Sequence, residues 1–207
     1  DDDTGQIRID KAPSTPDDYA VGLLDSVGQF KGDLPAVHFF AHGTTVCLNA
    51  ILQNKTAPTA IITSKGFRDV IEIQRSNRTD IYDPMYRKPK SLIPRYRRYE
   101  VAERMRYDGI VLTPLSETEL AEVVQKIKAD GVQAVAIAFV NSYANNQHES
   151  VAEEVVGSAL PGVYVTKSTD VTREYREYER STTAVFNAGL MPIMRSYLGS
   201  LEAKIRD

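Results

Sequence analysis

The sequence is poor in the features that define several specialised protein classes. It has a single cysteine, Cys47, among 207 residues, which excludes an internal disulfide and any metal site built from several cysteines. It has no apolar run of about 18 residues, the length that a membrane-spanning helix needs, and its first residues, DDDTGQ, lack the basic and apolar regions of a signal peptide. We therefore expect a cytoplasmic protein that does not bind a membrane.

The net charge is also small. There are 25 Lys and Arg against 28 Asp and Glu, a formal net charge of -3, so the chain as a whole has no electrostatic attraction for nucleic acid. The sequence shows no internal repeat and no low-complexity tract. What remains is the composition of an ordinary globular protein, 42% hydrophobic and 26% charged, with a length that fits one large domain.

Short apolar runs alternate with helical patterns along most of the chain. The runs without polar alternation, typical of strands buried on both faces, are 36–41, 59–63, 133–140 and 162–166. Apolar residues at helical spacing cover 44–54, 67–73, 116–130, 148–159 and 177–204. This alternation predicts an α/β fold with a mostly parallel sheet and flanking helices.

Local signals sharpen some boundaries. A strand-like alternation covers 6–12, and Thr15 and Pro16 then predict the N-cap and the first position of a further helix. Ser116 and Glu119 together predict a capping box at the start of the 116–130 helix.

Two segments depart from the alternation of strands and helices. Residues 74–98 contain three prolines and are too long for a plain connection, which indicates an excursion with a function or a partner. The last helical pattern contains Gly189 and Pro192, which predict a kink or a division into two shorter helices.

The excursion 74–98 is rich in positive charge. It holds eight of the chain's 25 Lys and Arg residues, interleaved with Tyr82, Tyr86 and Tyr96. Platforms for single-stranded nucleic acid use such interleaving, so a nucleic-acid or protein-binding module is one functional hypothesis. Two aspartates dilute the charge, and the prolines favour an extended arm that contacts a subunit or covers a substrate. We expect no nucleic-acid partner and keep this module as an alternative.

Small polar groups follow each predicted strand. In an open parallel sheet, ligands bind beyond the carboxyl ends of the strands, because helix N-termini and loop amides point into that crevice. The groups that follow the strands are 42–45, 64–66, 141–143 and 167–170. Among them we select Gly43, Ser64, Asn141 and Ser142 as residues that bind substrate or phosphate.

The turn HGTT that follows the first apolar run has two interpretations. Gly43 lets the backbone approach a ligand, Thr44, Thr45 and the first amides of the helix could hold a phosphate or carboxylate oxygen, and His42 could act as a base. Alternatively, Thr44 only caps the helix and His42 bonds a backbone carbonyl. No carboxylate cluster accompanies this turn, so no metal site is predicted there. His148 is expected at the surface.

A dense run of alternating charge occupies 172–188. Charged pairs at helical spacing usually form a solvated face, but the hydroxyls that follow them here leave a buried polar network as a second interpretation. The residues proposed for that network are Arg176, Glu177, Arg180, Thr183 and Asn187.

Four sequence blocks, in this order, resemble the hydantoinase A and 5-oxoprolinase family, to which acetone and acetophenone carboxylase subunits also belong. The blocks are HGTTVCLNAILQNK, TAIITSKGFRDVIEIQRSNRTDIYDPMYRKPKSLIPR, AIAFVNSYANNQHE and REYERSTTAVFNAGLMPIMRSYL. The resemblance extends from about Ile7 to Leu201. It implies a ribonuclease H-like, actin-like ATPase fold.

The resemblance also implies a chemistry. Members use ATP with Mg²⁺ to activate the oxygen of a cyclic amide, imide or ketone as a phosphorylated intermediate, for ring opening or carboxylation. We therefore predict an ATP-dependent hydrolase of cyclic amides, with a subunit of an acetophenone-type carboxylase as the alternative. His42, Thr44 and Thr45 are the predicted catalytic residues. A partner subunit of the hydantoinase B type and a homo-oligomer are implied as well.

The match to the family pattern is incomplete. His42 to Thr45 and Asn49, a further predicted binding residue, match its HGTTxxTN block, but Leu48 replaces the usual Thr, so any polar role of that Thr is lost. The family's leading phosphate loop, D-x-G-G-T-x-T-D, is not found in this sequence. We therefore interpret 1–207 as a single N-terminal domain fragment that lacks the first β-hairpin and whose 177–204 helix leads to a second domain. We expect the fragment alone to bind neither ATP nor Mg²⁺ and to be inactive without the remainder of its polypeptide.

Overall fold

The structure, a computed structural model, describes residues 5, 7, 9–16, 18–28, 38–76, 78, 80–89 and 91–206. The chain divides into two compact units. The smaller unit comprises 1–52 and 193–207, and the larger unit comprises 53–192.

The larger unit is built around a four-stranded parallel sheet. The strands within the described residues are β1 (Thr59–Ser64), β2 (Arg98–Val101), β3 (Arg104–Met105), β4 (Val111–Thr113), β5 (Ala134–Ala138) and β6 (Tyr164–Lys167). The parallel sheet has the order β2-β1-β5-β6, whereas β3 and β4 form a separate antiparallel pair. In the register, Ile61 of β1 lies between Arg98 of β2 and Ala136 of β5. The parallel sheet predicted from the sequence is confirmed.

Helices precede, connect and follow these strands. Those in the described residues are α1 (Tyr19–Gly28), α2 (Val46–Leu52), α3 (Val70–Ile73), α4 (Glu117–Asp130), α5 (Gln147–Ala159), α6 (Ser168–Val171) and α7 (Glu177–Arg206), with a 3₁₀ turn at Arg95–Arg97.

Both faces of the parallel sheet are buried. Ala60 and Ile62 of β1 face a core shared with α4 and α5, while Ile61 between them faces a second core with Ala184 and Ala188 of α7. Strands covered on both sides need apolar residues at every position. This explains why the runs at 59–63 and 133–140 lack polar alternation.

Two predicted strands are not found in the described residues. Residues 38–41 of the predicted strand 36–41 have no strand structure, and positions 36 and 37 lie outside the described part of the chain. Residues 7 and 9–12 of the predicted strand 6–12 also have no strand structure, and positions 6 and 8 lie outside the described part of the chain. The side chains of Phe39 and Ile7 are more than four-fifths exposed, so these apolar runs do not fill a core in the described structure.

Helix α1 begins later than its sequence signals predict. The carboxylate of Asp18 accepts a hydrogen bond from Ala20 N at 3.0 Å, whereas the hydroxyl of Thr15 donates to Asp18 O at 2.6 Å. Asp18 therefore occupies the capping position that Thr15 was predicted to fill.

At the start of α4, one of the two hydrogen bonds of the predicted capping box is formed. Ser116 Oγ accepts from Glu119 N at 3.3 Å, but the Glu119 carboxylate accepts from Ala102 N instead of closing the capping box.

Helix α7 is a single helix that contains Pro192, so of the two predicted alternatives the division into two helices is wrong, and the kink stays a prediction. Apolar residues stabilise it on both sides of the proline. Ala184 and Ala188 lie in the core of the larger unit, and Tyr197 and Leu201 pack with Ala20 of α1 in the smaller unit.

Gly189 of α7 approaches the start of β1 closely. A Cβ at this position would lie 3.1 Å from Thr59 Oγ1 and 3.4 Å from Thr56 Cβ, whereas nothing lies within 4 Å of a Cβ at Gly199 of the same helix. Alanine is preferred over glycine inside a helix by about 0.5–1 kcal/mol. We expect Gly199→Ala to stabilise the chain by that amount and Gly189→Ala to be at least about 1 kcal/mol less stable than Gly199→Ala, because overpacking opposes the gain. Urea unfolding of the two variants measures this difference, and equal stabilities would show that the approach is not tight.

Candidate functional site

A buried carboxylate ties together the carboxyl ends of β5 and β6. Glu149, the third residue of α5, is fully buried. Its Oε1 accepts hydrogen bonds from Phe139 N at 3.0 Å, Ser142 Oγ at 2.7 Å and Ser168 Oγ at 2.6 Å. Its Oε2 accepts from the backbone N of Thr169 at 3.1 Å and from the hydroxyl of that residue at 2.9 Å. One side chain therefore fixes the segments that leave both strands.

Arg180 of α7 completes this buried network from the other side. It is fully buried, and its guanidinium donates to Ser142 Oγ and to Phe139 O, each at 2.6 Å. It also pairs with Glu177 one turn earlier, and the Glu177 carboxylate accepts from Asn141 N at 3.2 Å. The charged run at 172–188 thus includes a buried polar network, the second of the two interpretations that its sequence allows.

The burial of Glu177 makes the stability of the chain depend on pH. Desolvation raises the pKa of Glu177 above its usual value of 4.5, and the neighbouring negative charge of Glu149 adds to the rise, while Arg180 opposes it. A carboxyl group with a raised pKa in the folded state binds more protons when folded than when unfolded. The stability it contributes is therefore fully present below the usual pKa and is lost as the pH rises through the raised folded pKa.

Replacing Glu177 with glutamine should remove this pH dependence. We expect the wild type to lose stability relative to Glu177→Gln as the pH rises from the usual glutamate pKa through the raised one. Urea unfolding at a series of pH values measures the difference. Glu122→Gln, an exposed change on α4, is the matched control and should show no such trend. A difference between wild type and Glu177→Gln that stays constant across the series would contradict the assignment.

A second buried cluster lies beside the first. Glu103, which follows β2, is hydrogen-bonded to the hydroxyl of Ser64 and, through Oε2, to His148 Nδ1 at 2.8 Å. Ser64 Oγ also accepts from Val140 N at 2.8 Å. These contacts join the carboxyl ends of β1, β2 and β5, so all four strands of the parallel sheet end in buried polar contacts.

A polar cleft of about 310 Å³ opens at this end of the sheet. The turn 141–146 forms one wall and the β3–β4 turn forms the other, with Arg173 at the margin. The walls are tied together, since Asn141 Nδ2 donates to Met105 O at 2.8 Å and Asn145 Nδ2 donates to Gly109 O at 3.0 Å. The cleft is therefore preformed.

The predicted residues of the HGTT turn lie in the smaller unit. His42 is exposed, and its Nε2 is hydrogen-bonded to the hydroxyl of Tyr197. Thr44 Oγ1 accepts from Val46 N at 3.2 Å, and Asn49 Nδ2 donates to Thr45 Oγ1 at 3.4 Å. Thr44 therefore does cap the helix, but His42 bonds a tyrosine hydroxyl and not the backbone carbonyl of the second interpretation.

The other predicted residues separate into buried and accessible groups. Ser64 is fully buried with both of its hydrogen bonds inside the unit, so its predicted direct contact with a ligand is not supported. Asn141, at the carboxyl end of β5, is half-buried. Ser142 lines the polar cleft, but it is buried and its hydroxyl is held by Glu149 and Arg180, so direct contact of that hydroxyl with a ligand is not supported either. Asn187 accepts from Thr166 Oγ1 at 3.1 Å, outside the Glu149 network.

Two further residues predicted for the network lie outside it. Thr183 only donates to Glu179 O of its own helix, at 2.8 Å. Arg176 is exposed, stacks on Tyr175 and lines a wider cleft of about 600 Å³ with Gln74 and Arg75.

Sequence reasoning missed Glu103, Glu149 and His148. His148 is buried, so the prediction that it lies at the surface is wrong. The available signal was that Glu103 and Glu149 each lie at a position where an apolar residue would be expected. Glu103 follows a short strand, and Glu149 lies in the first turn of α5. A single Glu in the first turn of a helix is normally interpreted as a charge that stabilises the start of the helix, so the burial of Glu149 was not predicted.

The basic excursion is anchored to the larger unit by ion pairs. Arg98 is buried and its guanidinium lies 2.8 Å from Glu72, Arg95 lies 3.0 Å from Asp69, and Arg75 pairs with Glu179. These pairs offset part of the positive charge that a nucleic-acid platform would need. Tyr82 is 93% exposed, so part of the segment remains accessible to a partner.

The residues described offer no cluster of side chains suited to Mg²⁺. They contain no group of three or more His, Cys, Asp or Glu that could hold a metal ion. The oxygens of Glu149 already accept hydrogen bonds from the protein, and Lys65 pairs with Glu119 at 3.0 Å.

Among the described helices, none is both long and apolar enough to cross a membrane.

Comparison with known protein sequences places these features in a family. A family model described as the hydantoinase/oxoprolinase N-terminal region matches residues 1–160. Caprolactamase subunit alpha of Pseudomonas jessenii is 34% identical over 216 residues, which cover 100% of this chain and 31% of that protein. The acetophenone carboxylase gamma subunit of Aromatoleum aromaticum is 29% identical, covering 98% of this chain and 30% of that protein.

Solved structures share the fold. The ATP-dependent caprolactamase from Pseudomonas jessenii aligns with a TM-score of 0.87 at 32% identity, over 98% of this chain and 31% of that one. Nucleotide-free acetone carboxylase aligns with a TM-score of 0.81 at 21% identity, over 95% of this chain and 31% of that one, which shows the fold alone. The fold is therefore of the ribonuclease H-like, actin-like ATPase type, as predicted. This chain spans just under a third of the lengths of these relatives. Because the family model matches most of its residues, the chain belongs to the hydantoinase/oxoprolinase N-terminal region family.

Proposed function

We propose that the intact protein is an ATP-dependent enzyme that opens a cyclic amide or imide, and that this chain supplies part of its substrate-binding region. The observation that supports this most strongly is the similarity of the whole chain, in sequence and in fold, to a caprolactamase. A caprolactam is a cyclic amide, so the relative's printed activity belongs to the reaction class that the sequence blocks imply.

The carboxyl end of the parallel sheet is the part of the larger unit best suited to hold a substrate. The Glu149 and Arg180 contacts fix the turn 141–146 from beneath, and the polar cleft opens beside it. A site held by a buried hydrogen-bonded layer keeps its geometry, which is what substrate positioning requires. Asn141 adds a strained backbone, with φ of 59°, at this position.

The HGTT turn, in the smaller unit, is a separate proposal. His42, Thr44 and Thr45 would position the substrate or the transferred group, with Gly43 and Asn49 beside them. The exposed imidazole of His42, held at Nε2 by Tyr197, leaves Nδ1 for a ligand. We propose that residues of the intact protein outside this chain contribute to binding ATP and Mg²⁺. A partner subunit is proposed from the printed names of the relatives, which are subunits themselves. A cytoplasmic location stays a prediction.

Carboxylation of a ketone is the second candidate, because a carboxylase gamma subunit is similar over 98% of this chain. One assay separates the two. The intact protein, with its partner subunit, is incubated with ATP and either caprolactam, hydantoin or 5-oxoproline, or with ATP, bicarbonate and acetophenone. We expect ring-opened product from at least one cyclic amide and phosphate release that depends on that amide. Carboxylated acetophenone without any ring opening would overturn the proposal in favour of the carboxylase.

A further inference from the structure

The polar cleft at the carboxyl end of β5 has an uncompensated positive charge. Arg173 lines it, is exposed, and has no ion pair or hydrogen bond within the part of the chain that the structure describes. Asp108 also lines the cleft, but Arg106 offsets its charge, with Arg106 Nε 2.7 Å from Asp108 Oδ1. The same contact holds the pKa of Asp108 below its usual value. The charge that remains for a ligand is that of Arg173.

The cleft also offers a free hydrogen-bonding group beside this charge. Asn146 lines it, and its side chain makes no capping hydrogen bond at the start of α5. Its neighbour Asn145 is fully used in holding the walls together, through Gly109 O and Gln147. A free guanidinium and a free carboxamide thus face a space of about 310 Å³, large enough for a small organic molecule.

The floor and walls of the cleft are rigid. Ser142, on the floor, is held by both Arg180 and Glu149, and the ring of Tyr143 stacks on the Arg180 guanidinium with 5.8 Å between ring centroid and Cζ. A ligand therefore does not have to order these groups when it binds, which favours affinity.

We propose that this cleft binds a small carboxylate, with Arg173 as its anion-binding residue and Asn146 as a second donor. The planar fork of a guanidinium matches the two oxygens of a carboxylate. The inference does not require that the protein opens cyclic amides.

Two lactams of the same ring size provide the test. 5-Oxoproline carries a carboxylate on its five-membered lactam ring, and 2-pyrrolidinone is the same ring without it. Saturation-transfer NMR titration of the intact protein, without ATP, gives a dissociation constant for each. We expect 2-pyrrolidinone to bind at least about tenfold more weakly than 5-oxoproline, since hydrogen bonds to charged groups contribute about 1.5–3 kcal/mol. Excess acetate should displace 5-oxoproline.

Arg173→Gln should weaken 5-oxoproline binding about tenfold and bring it to the level of 2-pyrrolidinone. Lys126→Gln, which removes an exposed positive charge from α4, is the matched control and should leave both constants unchanged. Thermal melts check that both variants are folded. Unchanged 5-oxoproline binding in Arg173→Gln, equal binding of the two lactams, or no displacement by acetate would each overturn the proposal. Because no turnover is measured, these results are independent of whether the protein opens a ring.

Discussion

Replacing Glu149 with glutamine is expected to lower the free energy of unfolding of the chain by about 3 kcal/mol or more. The two carboxylate oxygens accept five hydrogen bonds, among them those from the backbone amides of Phe139 and Thr169, one at each oxygen. The glutamine amide group must therefore point its hydrogens at one of these backbone donors, whichever way it is turned. A buried donor left unsatisfied costs about 1–3 kcal/mol, and the loss of charge beside buried Arg180 adds to it.

Urea unfolding measures the loss in the free energy of unfolding, and two other variants provide smaller losses for comparison. Glu153→Gln, on the same helix, removes a half-buried ion pair with Lys167. Because Lys167 keeps Asp170 as a partner at 3.4 Å, this change should cost less than about 1 kcal/mol. Ser168→Ala removes one donor to Glu149 and should cost about 1 kcal/mol, which gives a measurable value if Glu149→Gln does not fold. If Glu149→Gln were as stable as Glu153→Gln, the network would not hold the strand ends together.

Replacing His42 with alanine is expected to lower kcat/KM for ATP-dependent ring opening by about 100-fold in the intact protein. The reason is the proposed role of the imidazole as a base or hydrogen-bond donor at the substrate, a role that typically contributes 10²–10⁴-fold. The hydroxyl of Tyr197 orients the ring, which leaves Nδ1 without a partner among the residues that the structure describes. For Nδ1 to act as a base, Nε2 must carry the proton and donate it to the tyrosine oxygen.

Tyr197→Phe is the matched variant for this prediction. It keeps the imidazole and the packing of the ring against Ala20 and Leu201, and removes only the orienting hydroxyl. We expect a loss of at most about tenfold, smaller than that of His42→Ala. Turnover within twofold of wild type in His42→Ala would remove the histidine from the catalytic residues.

The sequence predicts most of the parallel sheet because the two central strands lack polar alternation: β1 is apolar at 60–62 and β5 is apolar at every position. β1 and β5 lie between two layers of helices, and this double burial leaves a clear pattern in the residues at 59–63 and 133–140. β2 escapes prediction because it begins with Arg98, whose charge is offset only by Asp69 and Glu72 from another part of the chain. A pairing of that kind has no local signature.

The buried network could be predicted only in part for the same reason. Arg180 and Glu177 are one turn apart, so their pairing follows from helical spacing. Glu103 and His148 are 45 residues apart, and nothing near either residue indicates the other. Only the folded sheet, by bringing its strand ends together, places these side chains in contact.

A crystal structure of the intact protein with a bound cyclic amide tests most directly whether the carboxyl end of the sheet holds the substrate. We predict ligand density beside the turn 141–146, with a polar atom of the ligand within hydrogen-bond distance of that turn. The opposite end of β1 also carries a cleft, of about 260 Å³ and lined by Pro58 and Thr59. A ligand bound there, with the turn 141–146 empty, would contradict the account.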